Sequence, residues 1–549
     1  MNLPESSVLE SEGKGMAKTP TKMTEPAHSL MYAPSSLGVG KTFADIDQLY
    51  AKVTPYLANA FNEKQKHFFH RAFEDRISLL WGPPGTGKTT VLAGTILGWI
   101  EYYAETGIPL RVGIGSSNYN AIDNVLNEVL KLIDERKAMV GELACPVRIT
   151  RVRSDSTTPL LDERIEDIPR TKAREQGFVN ALKCDAPGII VVGGTWQQLG
   201  QLAKEDNQDS EPTAKWFDLL VIDEASQVQV AAAAAYFLLL KADGHVVLAG
   251  DDRQLGPIYS FQMKDSSGGL FDCIFSYMRD THKIIPVQLK YNYRTNMEIS
   301  SWPCMRFYKN EYAAVFPEKR LDLAINIDGR PHDWPKQLPW SDEFLRILDP
   351  TCPVMVISYT ANFYTLSNPF EAQIVSALTL LYKKLVDAQH ENVCPHKFWR
   401  QKMGIVTPHR AQMASIRNLL VSEAGIAMDP PPFVDTVDRF QGQERDLILA
   451  SYVVADRDFI ASEDTFILSP RRFNVTLTRA RSKFVMLISD ALLQYLPSDP
   501  DVAQEAAHLQ LFVEQYCTSV DDTIQLPFFE HRTQSTMRCR LRGRCKNLN

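Results

Sequence analysis

The sequence predicts an α/β protein in which two successive regions are each built around a parallel sheet. Short apolar runs are followed by a glycine or polar turn and then by a segment of helical length, and this alternation restarts after about residue 286. The chain has 549 residues, of which 44% are hydrophobic and 23% charged, a composition typical of globular proteins. Alternating strands and helices favour α/β layers with parallel sheets.

The predicted strands of the first region are apolar on both faces. Such runs suit strands that helices cover on either side of a parallel sheet, because neither face meets water. Helical segments follow two of these runs, at 89–100 and 121–133. The predicted strands are 77–81, 112–115, 189–192, 219–222 and 246–249.

The second region repeats the pattern. Helical segments at 369–388 and 410–424 lie between its apolar runs, as the crossover connections of a parallel sheet require. Its predicted strands are 354–358, 403–406, 447–450 and 484–488.

Changes of composition divide the chain into four parts. Residues 1–43 are rich in Ser, Pro, Gly, Lys and Thr, which predicts a flexible tail. The first α/β domain is predicted at 44–285, with a charged segment at 134–187 that shows no clear strand and is interpreted as an insertion. The second domain is predicted at 286–500, and a helix with a basic tail at 501–549.

Composition excludes several classes of protein. A net charge of −7 excludes a protein that bulk positive charge holds to nucleic acid, although a local basic channel is compatible with it. The nine cysteines form no Cys-x-x-Cys pair, so we expect buried, reduced thiols rather than a disulfide framework or a zinc ribbon. With no run of about 18 apolar residues and no signal peptide, we expect an intracellular protein, cytoplasmic or nuclear.

One segment satisfies the phosphate-loop pattern G-x-x-x-x-G-K-[ST] between a predicted strand and a predicted helix. Its glycines let backbone N–H groups surround a phosphate, and the helix adds its positive end. Lys88 would reach the β- and γ-phosphates and Thr89 would bind magnesium, whereas the alternative is a plain glycine-rich turn. The segment comprises Gly82, Pro83, Pro84, Gly85, Thr86, Gly87, Lys88, Thr89 and Thr90.

A second segment, at 38–42, also ends in Gly-Lys-Thr. Ser35 stands where the first glycine belongs, and the preceding residues make a poor buried strand. We interpret this segment as a flexible Gly/Ser stretch.

Two acidic residues, Asp223 and Glu224, follow the predicted strand 219–222. Ligands of parallel sheets bind at the carboxyl ends of strands, so Asp223 would hold magnesium and Glu224 would polarise the attacking water. An Asp-Glu pair by itself is usually a solvated turn, but here it accompanies a phosphate loop. Gln254 follows the next strand, where it would sense the γ-phosphate; its alternative is a polar turn.

Together these motifs resemble those of the superfamily 1 helicases, of the branch that includes the nonsense-mediated-decay and Okazaki-fragment helicases. The resemblance runs from about residue 58 to 490 and implies two tandem RecA-like domains with ATP and magnesium between them. The other motifs stand in the family's order: Gln65, Ser117-Asn118, Gly194-Thr195, 289–294, 406–412, 434–444 and 472–481.

The resemblance also implies roles for individual residues. Arg294 and Arg479 resemble the family's two arginine fingers, and a planar, permanently charged guanidinium suits a γ-phosphate. Gln65 resembles the adenine-reading glutamine. Tyr293 could stack on the base, and its alternative is a core tyrosine beside an apolar strand. Gly442 and Glu444 resemble the motif that links the nucleotide to the nucleic-acid strand.

Six polar positions match the family's contacts with a single strand. Their side chains can bind phosphate and sugar without reading bases. The segment 440–444 favours DNA over RNA, and the resemblance implies 5′-to-3′ movement. The six are Ser117, Asn118, Thr195, Thr407, Pro408 and Arg410.

We therefore expect an ATP-dependent helicase or translocase that couples ATP hydrolysis to movement on single-stranded nucleic acid. One alternative is an ATP-dependent clamp that holds a strand without unwinding. A second is an inactive scaffold, which the intact Lys88, Asp223, Glu224, Arg294 and Arg479 disfavour. The C-terminal basic residues 538–546 either add phosphate contacts or form a tail without a specific role.

Overall fold

The computed structural model of the chain divides into two compact units, Met1–Lys290 and Tyr291–Asn549. Residues 1–24 of the predicted N-terminal tail and Gln441 of the 434–444 motif lie outside the described residues. The structure describes residues 25–160, 162–173, 175–184, 188–206, 215–257, 272–327, 329–390, 393–440 and 442–546.

The first unit contains an eight-stranded sheet with the order β4-β3-β5-β2-β6-β7-β1-β8. Every neighbouring pair is parallel, which confirms the predicted sheet. The strands are β1 Ile77–Trp81, β2 Leu110–Gly115, β3 Val147–Arg153, β4 Glu166–Pro169, β5 Ile189–Gly194, β6 Phe217–Ile222, β7 Leu240–Gly250 and β8 Val287–Gln288.

Helices cover both faces of this sheet. Successive residues of a strand point to opposite faces, so Leu79 packs into one buried core and Leu80 into a second one. This explains why the strands read as continuous apolar runs. The helices are Ala27–Tyr32, Ile46–Val53, Glu63–Glu74, Lys88–Thr106, Tyr119–Val140, Arg170–Ala173, Phe178–Lys183, Trp196–Asp206, Val230–Phe237 and Ile274–Ser276.

The prediction that 134–187 is an insertion without strands was wrong. The helix Tyr119–Val140 continues into it, and β3 and β4 extend the sheet at one edge. Arginines on β3 obscured the strand pattern, because charged residues in a sequence suggest exposure to solvent. In the structure ion pairs neutralise them: Arg151 binds Asp123 at 2.8 Å and Arg153 binds Asp167 at 2.6 Å.

The prediction of a flexible tail was also wrong for residues 25–43. The helix Ala27–Tyr32 buries Leu30 and Met31 in the first core, and the Tyr277 hydroxyl donates to the Met31 carbonyl at 3.0 Å. In the 38–42 segment, Lys41 binds Asp243 at 3.0 Å and Asp218 at 3.2 Å. The segment with the misleading glycines is therefore packed against the sheet.

The second unit contains a seven-stranded sheet with the order β13-β12-β14-β15-β11-β17-β16 and a two-stranded ribbon, β9–β10. The first five strands of that order are parallel, as predicted. The strands are β9 Tyr291–Asn292, β10 Ala313–Ala314, β11 Val354–Tyr359, β12 Met403–Val406, β13 Val434–Asp435, β14 Arg445–Ser451, β15 Ala480–Ser489, β16 Val520–Glu530 and β17 Thr533–Arg544.

The helices of the second unit confirm the predicted alternation, since long helices connect the parallel strands. A single buried core includes side chains of β11, β12, β14 and β15. The helices are Met297–Phe307, Glu343–Leu348, Pro369–Gln389, Pro395–Lys397, Arg410–Ser422, Val437–Phe440, Arg457–Ile467, Pro470–Thr478, Asp490–Leu493 and Pro500–Leu511.

The predicted basic tail is an antiparallel hairpin, β16–β17, whose second strand pairs with β11. Arg540 binds Asp521 at 2.5 Å, and the buried Lys546 ammonium donates to the Pro317 carbonyl at 2.7 Å and lies 3.3 Å from Glu298. The alternation of the arginines reflects the two-residue period of a strand. Arg540 and Lys546 both have partners within the protein.

The expectation of buried, reduced thiols was wrong in two respects. Cys352, which precedes β11, and Cys545, which follows β17, form a disulfide. Cys184 and Cys394 are exposed thiols. No helix in the described part of the chain is both long and apolar enough to cross a membrane.

Candidate nucleotide and nucleic-acid sites

The phosphate loop connects β1 to the helix Lys88–Thr106, the context that the motif requires. Gly85 and Gly87 have φ angles of 72° and 79°, in the left-handed region that favours glycine. The Thr86 hydroxyl donates to the Pro83 carbonyl at 2.7 Å, which closes the turn. The loop therefore presents the amino end of a long helix beside Lys88.

Lys88 lies between the two predicted catalytic carboxylates. Its ammonium is 2.9 Å from Glu224 Oε1 and 3.2 Å from Asp223 Oδ1. Burial alone would lower the pKa of Lys88, but these carboxylates hold it above its ordinary value. Burial raises the pKa of Asp223, whose side chain is 3% exposed. One cation thus faces two anions, which leaves the cluster short of positive charge.

Glu224 and Gln254 stand at the carboxyl ends of β6 and β7, which are neighbours in the sheet. Glu224 has a φ of 51°, and its N–H donates to Asp223 Oδ1 at 2.8 Å, so the backbone turns sharply there. The buried Gln254 amide donates to Asp251 Oδ2 at 2.7 Å. The sheet therefore places the predicted water-activating and phosphate-sensing residues on adjacent strands.

Gln65 has a role that the sequence reasoning missed. Its side-chain oxygen accepts from the Asn62 N–H at 3.0 Å, and Asn62 in turn accepts from the Gln65 N–H, so the pair caps the helix Glu63–Glu74. Its amide nitrogen donates to the Thr86 carbonyl at 3.1 Å. The sequence pattern Asn-x-x-Gln before a helix could have predicted this capping role.

In the second unit, the two predicted arginine fingers gather around one short segment. Arg294 forms an ion pair with Glu444 and donates to the Thr478 carbonyl at 3.1 Å. Arg479, only 2% exposed, donates to the carbonyls of Val475 at 3.0 Å and Gln443 at 3.3 Å. Gly442, with a φ of 77°, forms the turn that begins this segment, and Tyr293 beside Arg294 is partly exposed.

Glu444 is the anion at the centre of this group. Burial would raise its pKa, but Arg294, Arg481 and Arg479 hold the pKa below its ordinary value. Arg481 also pairs with Asp446 at 3.2 Å, so three guanidinium groups face two carboxylates and the cluster is short of negative charge.

The predicted strand-binding residues of the first unit lie at the carboxyl ends of β2 and β5, which are also neighbours. Asn118 Oδ1 accepts from the Ala121 N–H at 2.9 Å and so caps the helix Tyr119–Val140. The exposed Ser117 lies 3.3 Å from Gln227 Oε1, and Thr195 is buried directly after β5. The structure places all three residues at one edge of the sheet.

The predicted strand-binding residues of the second unit follow β12. Arg410 is exposed at the start of its helix, and Thr407 is 1% exposed. Among the described residues, the Thr407 hydroxyl has no hydrogen-bond partner. It lines a small pocket of about 40 Å³ together with Pro408, Asp438 and Phe466.

A buried polar network beneath this loop was missed from sequence. Gln412 donates to Ser451 Oγ at 3.0 Å, and Ser451 donates to Glu371. Glu371 also accepts from the Tyr359 hydroxyl at 2.5 Å. Asn368 caps the helix Pro369–Gln389 by accepting from the Glu371 N–H at 3.1 Å, and this Asn-x-x-Glu capping pattern was the available signal.

Comparison with known proteins adds independent information. Two family domains, each described as an AAA domain, match residues 65–261 and 270–491. DNA polymerase alpha-associated DNA helicase A of Saccharomyces cerevisiae is 24% identical over 521 residues, which cover 84% of this chain and 70% of that protein.

Other relatives are longer than this chain. The DNA replication ATP-dependent helicase/nuclease DNA2 of Xenopus laevis is 26% identical, over 78% of this chain and 37% of that protein. The ATP-dependent helicase NAM7 of Saccharomyces cerevisiae is 23% identical, over 78% of this chain and 41% of that protein. The chain thus spans less than half the length of these two relatives.

Among solved structures, the DUF1998 helicase MrfA bound to DNA and AMPPNP covers 87% of this chain and 54% of its own, at 10% identity. Its TM-score of 0.42 is too low to establish a common arrangement. The family domains, the relatives and the ordered motifs agree, and the chain belongs to the superfamily 1 helicases, a family of ATP-hydrolysing enzymes with RecA-like domains.

Proposed function

We propose that this chain hydrolyses ATP and uses the energy to move along single-stranded nucleic acid, and to unwind a duplex that it meets. The observation that carries the proposal is the cluster of Lys88, Asp223 and Glu224 at the phosphate loop. It combines a phosphate-binding cation with two carboxylates at the carboxyl end of a strand, where ligands of such sheets bind.

Binding of a triphosphate would change the partners of Lys88. Its ammonium would leave Glu224 for the β- and γ-phosphates, while the backbone N–H groups of the loop and the helix amino end hold the remaining charge. Glu224, released from its ion pair, would accept a proton from the attacking water. Nucleotide binding would thus free the catalytic base from its ion pair.

Thr89 and Asp223 fit a magnesium ion. Both supply oxygen ligands, and magnesium usually takes only one or two protein carboxylates besides phosphate oxygens and water. The cluster also carries more negative than positive charge, which favours a divalent cation. When bound, this ion would neutralise charge on the phosphates.

Arg294 and Arg479 would stabilise the charge that develops on the γ-phosphate. In the structure they bind backbone carbonyls and Glu444, which are weaker charge partners than a triphosphate. A phosphate would satisfy two donors of each guanidinium at once. Gln254 would report the state of the γ-phosphate to the sheet through Asp251.

The track is a single strand contacted through its backbone by Ser117, Asn118, Thr195, Thr407, Pro408 and Arg410. We favour DNA, because the first relative is named a DNA helicase, although another relative is named a probable RNA helicase. ATPase stimulation by single-stranded DNA and RNA of equal length and sequence tests this choice, and stronger stimulation by RNA would reverse it.

A strand-displacement assay on duplexes with single-stranded tails tests unwinding itself. We expect ATP-dependent release of the shorter strand, absent in Lys88→Ala. Stimulated hydrolysis without release would instead identify an ATP-dependent clamp. Duplexes that carry a 5′ or a 3′ tail in separate reactions report the direction of movement.

A further inference from the structure

An exposed aromatic side chain stands at the edge of the second sheet where the predicted strand contacts lie. Phe363 is 62% exposed and Leu366 is 45% exposed, in the loop that follows β11. Strands β11, β15, β14 and β12 are parallel neighbours in that order, so the loop leaves the same carboxyl edge as Thr407. Phe363 and Leu366 thus expose apolar surface at the edge where the proposed strand contacts lie.

The loop is fixed at several points, so the ring is held in place. The Tyr364 carbonyl accepts from the N–H groups of Ala455 at 2.8 Å and Asp456 at 3.0 Å. At its far end, the Asn368 N–H donates to Gln412 Oε1 at 2.8 Å. The loop therefore runs across the carboxyl ends of the sheet to the helix that begins at Arg410.

One side of the Phe363 ring is supported from within the protein. Its centroid lies 4.2 Å from that of Tyr364, at an interplanar angle of 50°, and Tyr364 packs against the buried core. The support reduces the freedom that Phe363 would lose on stacking with a ligand. Much of the ring remains open to water.

We propose that Phe363 is a stacking platform for an unpaired base of the single strand, with Leu366 as its apolar neighbour. The inference rests on the proposed function and extends it, because the six predicted contacts recognise only backbone. Stacking on an aromatic face contributes about 1–3 kcal/mol per base and tolerates any sequence, as a translocating protein requires.

The second unit offers a matched control at the opposite edge of the same sheet. Phe316 is 53% exposed, and the carbonyl of the next residue, Pro317, accepts from Lys546 at 2.7 Å. Lys546 follows Cys545, which is bonded to Cys352 just before β11 begins. Phe316 therefore has similar exposure but lies near the amino end of β11.

The test is equilibrium binding of a fluorescently labelled single strand of about 12 nucleotides, within the range of single-strand site sizes. We expect Phe363→Ala to weaken binding about 5- to 150-fold, the equivalent of about 1–3 kcal/mol. Phe363→Leu, which keeps apolar bulk without a π face, should also weaken it. Phe363→Trp and Phe316→Ala should bind as the unmodified protein does.

An oligonucleotide that has the same backbone but lacks bases separates stacking from folding. The unmodified protein should bind it more weakly than the normal strand, and Phe363→Ala should lower that affinity no further. Equal loss on both oligonucleotides, or no loss on either, would overturn the stacking role while leaving the proposed function intact. Failure of the unmodified protein to bind any strand would overturn the proposed function and the inference with it.

Discussion

The two units carry clusters of opposite charge imbalance. In the first unit one ammonium, Lys88, faces the carboxylates of Asp223 and Glu224. In the second unit the carboxylate of Glu444 faces Arg294 and Arg481 and also interacts electrostatically with Arg479. The charge imbalance of the first cluster favours an additional cation, and that of the second favours an additional anion.

In both clusters the charged groups pair with partners from the same unit, although the charges do not balance. Unpaired buried charges are very unfavourable, so each cluster pairs its charged groups within its own unit. Glu224 lies 2.9 Å from the Lys88 ammonium in the first unit, and Glu444 pairs with Arg294 in the second.

The largest effect is expected from the basic cluster. Arg294→Ala and Arg479→Ala should each lower the rate of ATP hydrolysis by about 10³–10⁵, as for arginine fingers in related enzymes. Lysine should not restore the rate, because it lacks the planar pair of donors. Phosphate release measures the rate, and Arg320→Ala, which removes a more exposed arginine of the same unit, is the control.

The acidic cluster should respond nearly as strongly. Glu224→Gln should reduce hydrolysis by about 10²–10⁴, the usual contribution of a general base. It should still retain bound ATP, whereas Lys88→Ala should lose both binding and hydrolysis. Labelled-nucleotide binding and phosphate release distinguish these outcomes, with the exposed Lys52→Ala as control. Unchanged hydrolysis in Glu224→Gln would remove its assignment as the base.

The two units also differ in how a buried titratable group makes the free energy of unfolding depend on pH. Burial raises the pKa of Glu371 in the second unit to about 7, from 4.5. Between these values the folded state binds more protons, so its free energy of unfolding should fall, by up to about 3 kcal/mol, as pH rises from 4.5 to 7. Glu371→Gln should flatten this part of a urea-unfolding profile, and identical profiles would contradict the raised pKa.

His245 in the first unit should show the opposite sign. Burial lowers its pKa to about 4, from 6.5, so the unfolded state binds more protons in that window. Stability from this residue should therefore rise as pH increases from 4 to 6.5. His245→Gln measured in the same way should remove that rise, while leaving the fall that Glu371 causes.

The smallest effect concerns the buried hydroxyl of Thr407. If a nucleic-acid strand satisfies it, Thr407→Val should weaken strand binding by about 2- to 10-fold, the equivalent of one hydrogen bond. The same change should leave the free protein equally stable or slightly more so, because it removes an unsatisfied polar group. Thermal melting and strand binding measure the two effects, and the exposed Thr523→Val is the control.

Local patterns were sufficient where neighbours in sequence are also neighbours in space. The phosphate loop between β1 and its helix needs only a strand, glycines at left-handed positions and a helix start, all within some twenty residues. The local pattern also predicts that Asp223 and Gln254 lie at the carboxyl ends of their strands, because each follows an apolar run and parallel strands align their ends.

The misinterpreted segments are those whose partners belong to other elements of secondary structure. The arginines of β3 and β17 suggested solvated charge, but acidic side chains from other elements neutralise them. The helix Ala27–Tyr32 is short and gains its place from contacts with Tyr277. Neither effect leaves a signature within a local window of sequence.

The order of residues along the chain was enough to predict the parallel α/β architecture and to single out the charged residues proposed for the site. Folding alone decided which partners those residues hold: Glu224 for Lys88, Glu444 for Arg294, and the Thr86 carbonyl for Gln65. The reason is that periodicity and turn chemistry act between near neighbours, whereas ion pairs and edge-strand pairing depend on which distant segments the fold brings together.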